Sequence, residues 1–160
     1  MNKKTLSAIL VGTSLLALSS VAEGLNSIKG VKIENPQNIE QKVEEIKWYS
    51  SFKEAQAIAE EKKMPIMVDF TAEWCGWCKK LDETTYKDPE VIRISKSYVN
   101  VKVDVDQKEN QELNSEYQII GLPTIVFMRE DKTELERAIG YKDAEHFKPI
   151  MEKVLEMYKK

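Results

Sequence analysis

The chain has 160 residues, with 24 Lys and Arg against 27 Asp and Glu and a formal net charge of −3. That length suits one domain with some chain to spare. The near balance of interspersed charges excludes the basic surface of a nucleic-acid binder and a polybasic membrane patch; Glu60-Glu61-Lys62-Lys63 and Lys159-Lys160 read as solvated helix ends.

Residues 1–22 differ from the rest. Lys3 and Lys4 precede an uncharged apolar run from Leu6 to Leu18, and Ser20-Val21-Ala22 fits a small-x-small cleavage pattern. This is the pattern of a secretory signal peptide. Its apolar core is short against the ~20 residues of a membrane-spanning helix, which disfavours an uncleaved anchor. No cysteine follows it, so a lipid anchor is not expected. The expected location is periplasmic or secreted, where disulfides persist. Residues 23–45 are polar, carry Gly24, Gly30 and Asn35-Pro36, and read as a linker with a short helix over 37–45. Residues 46–160 read as the folded domain.

Ile46-Lys47-Trp48 alternates and predicts a short strand. Ser51 with Glu54 three residues on is a capping-box pattern, opening a helix with Phe52, Ala55, Ile58 and Ala59 on one face that ends near Lys63. Ile66 to Thr71 is apolar almost throughout, as a central strand covered on both faces would be. A helix follows from Cys75 to about Glu83, broken at Thr84 to Lys87. Asp88-Pro89-Glu90 restarts helix, with Asp88 as N-cap and Pro89 at the first position. Tyr98 to Val105 alternates and is β-branched, predicting a strand. Gln107 to Tyr117 reads as helix, 121–124 as a turn, Thr124 to Met128 as a strand, and Glu134 to Ile139 as its hairpin partner. The last helix carries Phe147, Ile150, Met151, Val154, Leu155 and Tyr158 on one stripe after N-cap Asp143. Pro149 falls on the opposite side, where it would kink the helix or mark its first turn. Parallel α/β units followed by an antiparallel hairpin imply a three-layer α/β sandwich: a mixed central sheet with helices on both faces.

The two cysteines stand in Trp74-Cys75-Gly76-Trp77-Cys78-Lys79, at a strand-to-helix junction. There the unpaired N–H groups and dipole of a helix start favour a thiolate on Cys75. A structural staple is the competing reading, but a two-residue loop gives little entropic stabilisation, so a redox-active pair is favoured. Asp69 sits inside an apolar strand, pointing away from the side of Val68 and Phe70. Burial there would raise its pKa and suit it to general-base work; the alternative is a surface carboxylate at a strand end. His146 follows Asp143 on an exposed helix start, and a metal site from Cys75, Cys78 and His146 would still need a fourth ligand, so no metal is expected.

The run Val68-Asp69-Phe70 before Ala72-Glu73-Trp74-Cys75-Gly76-x-Cys78-Lys79, with Val105-Asp106-Gln107, Gly121-Leu122-Pro123-Thr124 and Gly140 downstream, resembles the thioredoxin superfamily over residues 46–160. Ile46-x-Trp48 and Thr84-x-Tyr86-x-Asp88-Pro89-Glu90-Val91 make it most similar to extracytoplasmic members, in particular the C-terminal domain of transmembrane thiol-disulfide interchange proteins. The resemblance implies Cys75 as nucleophile, Cys78 as resolving thiol and Asp69 as proton acceptor. It also implies a cis-proline at Pro123, which exposes the Leu122 backbone to substrate. Lys102 matches the family's partner of the buried Asp; its other reading is an edge-strand lysine. Trp74 is expected to pack under the active-site loop and contribute to a docking surface. Gly76 is expected to permit a tight turn, Gly140 a close backbone approach, and Thr124 to be structural. Trp77 stands where ordinary thioredoxin has proline and is expected to be a partly exposed substrate contact; that family's mid-helix proline is absent here.

The implied activity is disulfide reduction by dithiol–disulfide exchange, with no cofactor beyond the Cys75–Cys78 pair. Implied partners are disulfide-bearing proteins and a membrane thiol-disulfide transporter as electron donor, with the chain itself a monomer. Oxidase or isomerase activity, and a peptide- or metal-binding module, are the alternatives.

Overall fold

A computed structural model of the chain describes residues 44–160. The predicted signal peptide, and the predicted linker and short helix as far as residue 43, lie outside the described residues.

Five strands form one sheet in the order β1-β3-β2-β4-β5. They are β1 (Trp48–Tyr49), β2 (Ile66–Thr71), β3 (Val99–Asp104), β4 (Thr124–Met128) and β5 (Glu134–Ile139). β1, β3 and β2 run parallel; β4 is antiparallel to β2, and β5 to β4. The helices are α1 (Phe52–Lys62), α2 (Gly76–Glu83), α3 (Pro89–Ser95), α4 (Gln111–Glu116) and α5 (Ala144–Tyr158).

Strand alternation divides the core. Ile66, Val68, Phe70, Val101, Val103, Val126 and Met128 face Ala55 and Ala59 of α1 and Leu113 of α4. Met67, Ile125 and Phe127 face the other way, onto Leu81 of α2, Val91, Ile92 and Ile94 of α3, and Phe147, Met151 and Val154 of α5. The fold is therefore the mixed-sheet α/β sandwich implied by the order of elements. Phe70, Phe127 and Phe147 are fully buried, and each such side chain is worth about 1.5–3 kcal/mol of transfer free energy.

Local chemistry sets the helix starts. The Ser51 hydroxyl accepts from the Glu54 N–H at 3.3 Å, Asp88 Oδ1 from Glu90 and Val91 at 2.9 and 3.1 Å, and Asp143 Oδ1 from His146 at 3.0 Å. Such caps satisfy amides that have no partner within the helix.

Several expectations shift. The first strand starts at Trp48 because pairing with β3 begins at Trp48↔Asn100, while Ile46 is buried in the core ahead of it. The helix expected over 107–117 divides into a 3₁₀ turn at Lys108–Asn110 and α4. Pro149 lies well inside α5, past its first turn, on the exposed side; the helix runs through it because the Glu145 carbonyl left without a donor lies on that side too and is open to water. The backbone that Gly140 meets does not require glycine there: a Cβ would have nothing within 4 Å, and its need for glycine is a φ of +74°. Gly76 begins α2 with open space around it and makes no tight turn.

Candidate functional site

β2 ends at Thr71, and the chain turns through Ala72 to Trp74 into α2. Cys75 is the N-cap of that helix, and its Sγ accepts the Cys78 N–H at 3.1 Å. Cys75 and Cys78 are joined as a disulfide with Cα atoms 5.3 Å apart. One turn of helix thus holds the two sulfurs in bonding reach, and an amide at the helix start is aimed at the first of them, where it would stabilise a thiolate.

The two cysteines are nearly equally covered, 5% and 3% exposed. Exposure does not separate the attacking from the resolving position in this disulfide form. What distinguishes them is position: Cys75 caps the helix, and Cys78 lies within it. Ala72, Val105 and Leu122 pack against the pair. The Leu122–Pro123 peptide is cis. The Pro123 carbonyl accepts the Gly140 N–H at 2.8 Å, and Thr124 Oγ1 donates to the Gly121 carbonyl at 2.7 Å, which fixes the loop before β4.

On the inner side lies a cluster of charge. Asp69, in the middle of β2, is buried and pairs in register with Lys102 on β3 and Ile125 on β4. Burial pushes its carboxyl up to about 6; the Lys102 ammonium opposes the shift and the Asp82 charge adds to it. Asp69 Oδ1 and the Tyr86 hydroxyl are both buried without a hydrogen-bond partner. An oxygen without a donor adds nothing to offset the cost of ionising in a buried place. Burial, and then the charges of Asp69 and Asp82, likewise raise the Tyr86 hydroxyl.

Lys102 belongs to an interior strand, not an edge, since β3 lies between β1 and β2. Its Nζ is 3.6 Å from Asp69 Oδ2 and hydrogen-bonds Asp82 Oδ1 more closely. The same ammonium stands 5.0 Å from the Trp48 ring centre and 5.5 Å from that of Tyr86. Asp82 and Lys102 line two neighbouring cavities. One, of about 280 Å³, reaches Cys78; the other, of about 250 Å³, lies against Trp48 and Tyr86; Asp69 lines neither.

The outer rim is apolar and exposed. Trp74 is 70% exposed, Trp77 58% and Ile120 94%. Trp74 therefore does not pack beneath the loop; its Nε1 donates to Asp106 Oδ2 at 2.8 Å, which turns the ring outward. Trp77 rests against Tyr141, with ring centres 5.8 Å apart. His146 hydrogen-bonds Asp143 through its ring at 2.6 Å. Among the described residues no group of three or more His, Cys, Asp or Glu is placed to hold a metal ion.

The sequence reading passed over Asp82, Trp48, Tyr86 and Tyr141 as site residues. Asp82 carried a signal: it falls four residues after Cys78 on one helix, hence on the same face. Tyr141 carried none, being 64 residues from Trp77 in sequence.

A disulfide closing the first turn of a helix, beside a cis-proline loop and a buried carboxylate on a mixed five-stranded sheet, defines a thioredoxin-like domain. The chain belongs to that family, whose model, a thioredoxin-like domain, matches residues 52–155. Among curated proteins it is similar to the thiol:disulfide interchange protein DsbD of Campylobacter jejuni, 33% identical over 90 residues that make up 55% of this chain. It is also similar to DsbD of Klebsiella pneumoniae, 38% identical over 96 residues, or 58% of this chain. It spans only 16% of the length of either relative. Among solved structures it resembles a thioredoxin from Thermus thermophilus, with 30% identity and a TM-score of 0.64 over 69% of this chain and 88% of that one. It also resembles the oxidised C-terminal domain of Neisseria meningitidis DsbD, with 25% identity and a TM-score of 0.59 over 67% of this chain and 98% of that one.

Proposed function

We propose that the protein is an extracytoplasmic thiol-disulfide oxidoreductase that reduces protein disulfides. The observation that carries this is the Cys75–Cys78 disulfide across the N-terminal turn of α2, with Cys75 Sγ accepting a helix-start amide.

In the reduced protein Cys75 is the attacking thiolate. It displaces one sulfur of a substrate disulfide and forms a mixed disulfide. Cys78 then loses its proton and attacks Cys75 Sγ. The Cys75–Cys78 bond reforms, and the substrate leaves as a dithiol with two electrons and two protons gained. Asp69 is the proton acceptor in this scheme: a buried carboxyl titrating near 6 is a base at neutral pH and holds a proton only just below it. Lys102 steadies the ionised form. Trp74, Gly76, Trp77, Leu122 and Pro123 form the docking rim, Leu122 and Pro123 by presenting backbone to an extended substrate segment.

The residues 1–22 pattern supports an extracytoplasmic location, and the likeness to DsbD supports a membrane thiol-disulfide transporter as electron donor. No histidine stands between the cysteines to favour isomerase or oxidase chemistry.

Insulin reduction with dithiothreitol tests the reading. The wild type is expected to accelerate precipitation of the insulin B chain and Cys75→Ala to abolish the effect; equal rates would exclude the activity. The potential of the pair tests direction: about −270 mV fits a reductase, and about −120 mV an oxidase.

A further inference from the structure

Lys80 lies two residues past Cys78 on α2, three past Trp77. Its Nζ is 5.0 Å from the Trp77 ring centre and 4.6 Å from that of Tyr141. The two ring centres are themselves 5.8 Å apart. These three lengths make a nearly equilateral triangle, so the ammonium caps the edge shared by the rings and is not enclosed between them. One side of it stays open to solvent. Tyr141 is itself anchored, its hydroxyl 3.1 Å from Thr84 Oγ1, which donates to the Lys80 carbonyl at 2.6 Å.

The cation is thus held in place without an anion. Among the described residues neither Lys80 nor the adjacent Lys79 pairs with a carboxylate, whereas Lys102 is shared by two. Trp74, by contrast, holds a carboxylate, that of Asp106, and the cavity that reaches Cys78 is lined by both signs, Glu73, Asp82 and Asp104 with Lys79 and Lys102. An ammonium thus stands against Trp77 and a carboxylate against Trp74. A fixed, unpaired ammonium has already lost much of its side-chain freedom, so pairing it with a partner's charge costs less than ordering a free lysine. Next to an exposed tryptophan it offers one contact for an apolar group and one for an anion.

Resting on the reading of the site as a thiol-disulfide exchange centre, we infer that Lys80, held by Trp77 and Tyr141, selects protein partners whose disulfide is flanked by a carboxylate on the Trp77 side. The occupant is an extended segment of a partner polypeptide with Asp or Glu beside its cysteine. Like charges at that place are disfavoured, and Lys-flanked disulfides are the poor substrates.

The probes are two synthetic peptides that differ only in having Glu or Lys beside one cysteine of a disulfide, together with the neutral 2-hydroxyethyl disulfide. Reduction by the dithiol form of the protein is followed in stopped flow. Failure on all three would overturn the exchange activity itself. If the neutral disulfide is reduced, the Glu peptide is expected to react about fivefold faster than the Lys peptide at low ionic strength, near the upper end of what an exposed ion pair supplies. The two rates should converge in 1 M salt, where the Debye length falls to about 3 Å. Lys80→Gln is expected to bring the ratio towards one and Lys80→Glu to invert it. Tyr141→Leu, which keeps the charge and frees it, should lower the ratio without inverting it. Equal rates for the two peptides in the wild type, or an unchanged ratio in Lys80→Gln, would overturn the inference. So would equal rates with salt-sensitive binding to phosphatidylglycerol vesicles, which would assign the basic rim to a lipid surface.

Discussion

Two lysines flank the disulfide, and each stands over a pair of aromatic rings. Lys102 lies over Trp48 and Tyr86, and Lys80 over Trp77 and Tyr141. The ring distances are alike, but the remaining partners differ. Lys102 is shared between buried Asp69 and half-exposed Asp82 beneath the active-site turn. Among the described residues Lys80 has no carboxylate partner, and it looks outward. The same aromatic support thus serves two ends. Where the cation is paired and half-buried it governs the ionisation of a neighbouring acid; where it is unpaired and exposed it is available to something outside the protein. Substitutions on the two sides should separate these roles.

The largest effect is expected at Asp69. Its pKa is about 6 in the folded protein against about 3.8 in the unfolded chain. The folded state therefore binds more protons between those values, and stability falls as pH rises through that window. Two units correspond to about 3 kcal/mol, an order-of-magnitude figure for the strain of keeping this acid charged at pH 8. Asp69→Asn removes the charge, and since Oδ1 has no hydrogen-bond partner, little is lost in exchange. The variant is expected to be more stable than the wild type in urea at pH 8 by about 2–3 kcal/mol, and equally stable near pH 4. Its disulfide exchange should be slower, with a flattened pH profile between 5 and 7. Equal stability of the two proteins at pH 8 would mean that Asp69 is not strained.

That strain was partly visible in the sequence. A lone acid inside Ile66-Met67-Val68-Asp69-Phe70 must be covered if its neighbours are, and strand periodicity gives the face it points to. The helix starts at Ser51, Asp88 and Asp143 were legible for the same reason: capping depends on residues two or three apart. The CxxC pair and its helix are equally local. What was not legible depends on side chains that meet only after the sheet has formed. Trp48, Asp82 and Tyr86 reach Lys102 from three elements, and Tyr141 reaches Trp77 from the far end of β5. Trp74 was misjudged because its direction is set by Asp106, beyond β3, and no periodicity governs a turn. That both cysteines are almost wholly covered is not legible either, because Leu122 and Val105 approach them from distant loops.

Lys102→Gln comes next in size. Without the ammonium, the main offset to the burial of Asp69 is lost and only the weaker effect of the Tyr86 hydroxyl remains, so its pKa should rise above 6. At pH 5 the acid is already protonated in the wild type, so the substitution costs least there. At pH 8 it is expected to destabilise by about 1–2 kcal/mol, one pKa unit being about 1.4 kcal/mol. In the Asp69→Asn background most of that cost should vanish, because the two residues act as one unit. Additive effects, one a gain and the other a loss, in urea denaturation of the single and double variants would break the link between Lys102 and Asp69 and leave Asp82 as the lysine's main partner.

The smallest effect on stability, and the sharpest contrast, belongs to the same substitution at the other lysine. Lys80→Gln removes a cation that is exposed and, among the described residues, paired with no carboxylate, so no buried charge is stranded. What it loses is a contact with two rings at the surface, where such interactions are weak. Its Tm is expected to lie within about 2 °C of the wild type at both pH 5 and pH 8. Identical chemistry at two lysines of similar aromatic environment would then give a pH-dependent loss in one case and almost none in the other. A drop at Lys80 as large as that at Lys102 would show that Lys80 supports the turn around the disulfide and is not held ready for a partner, since an ammonium needed for packing is not free to select a substrate.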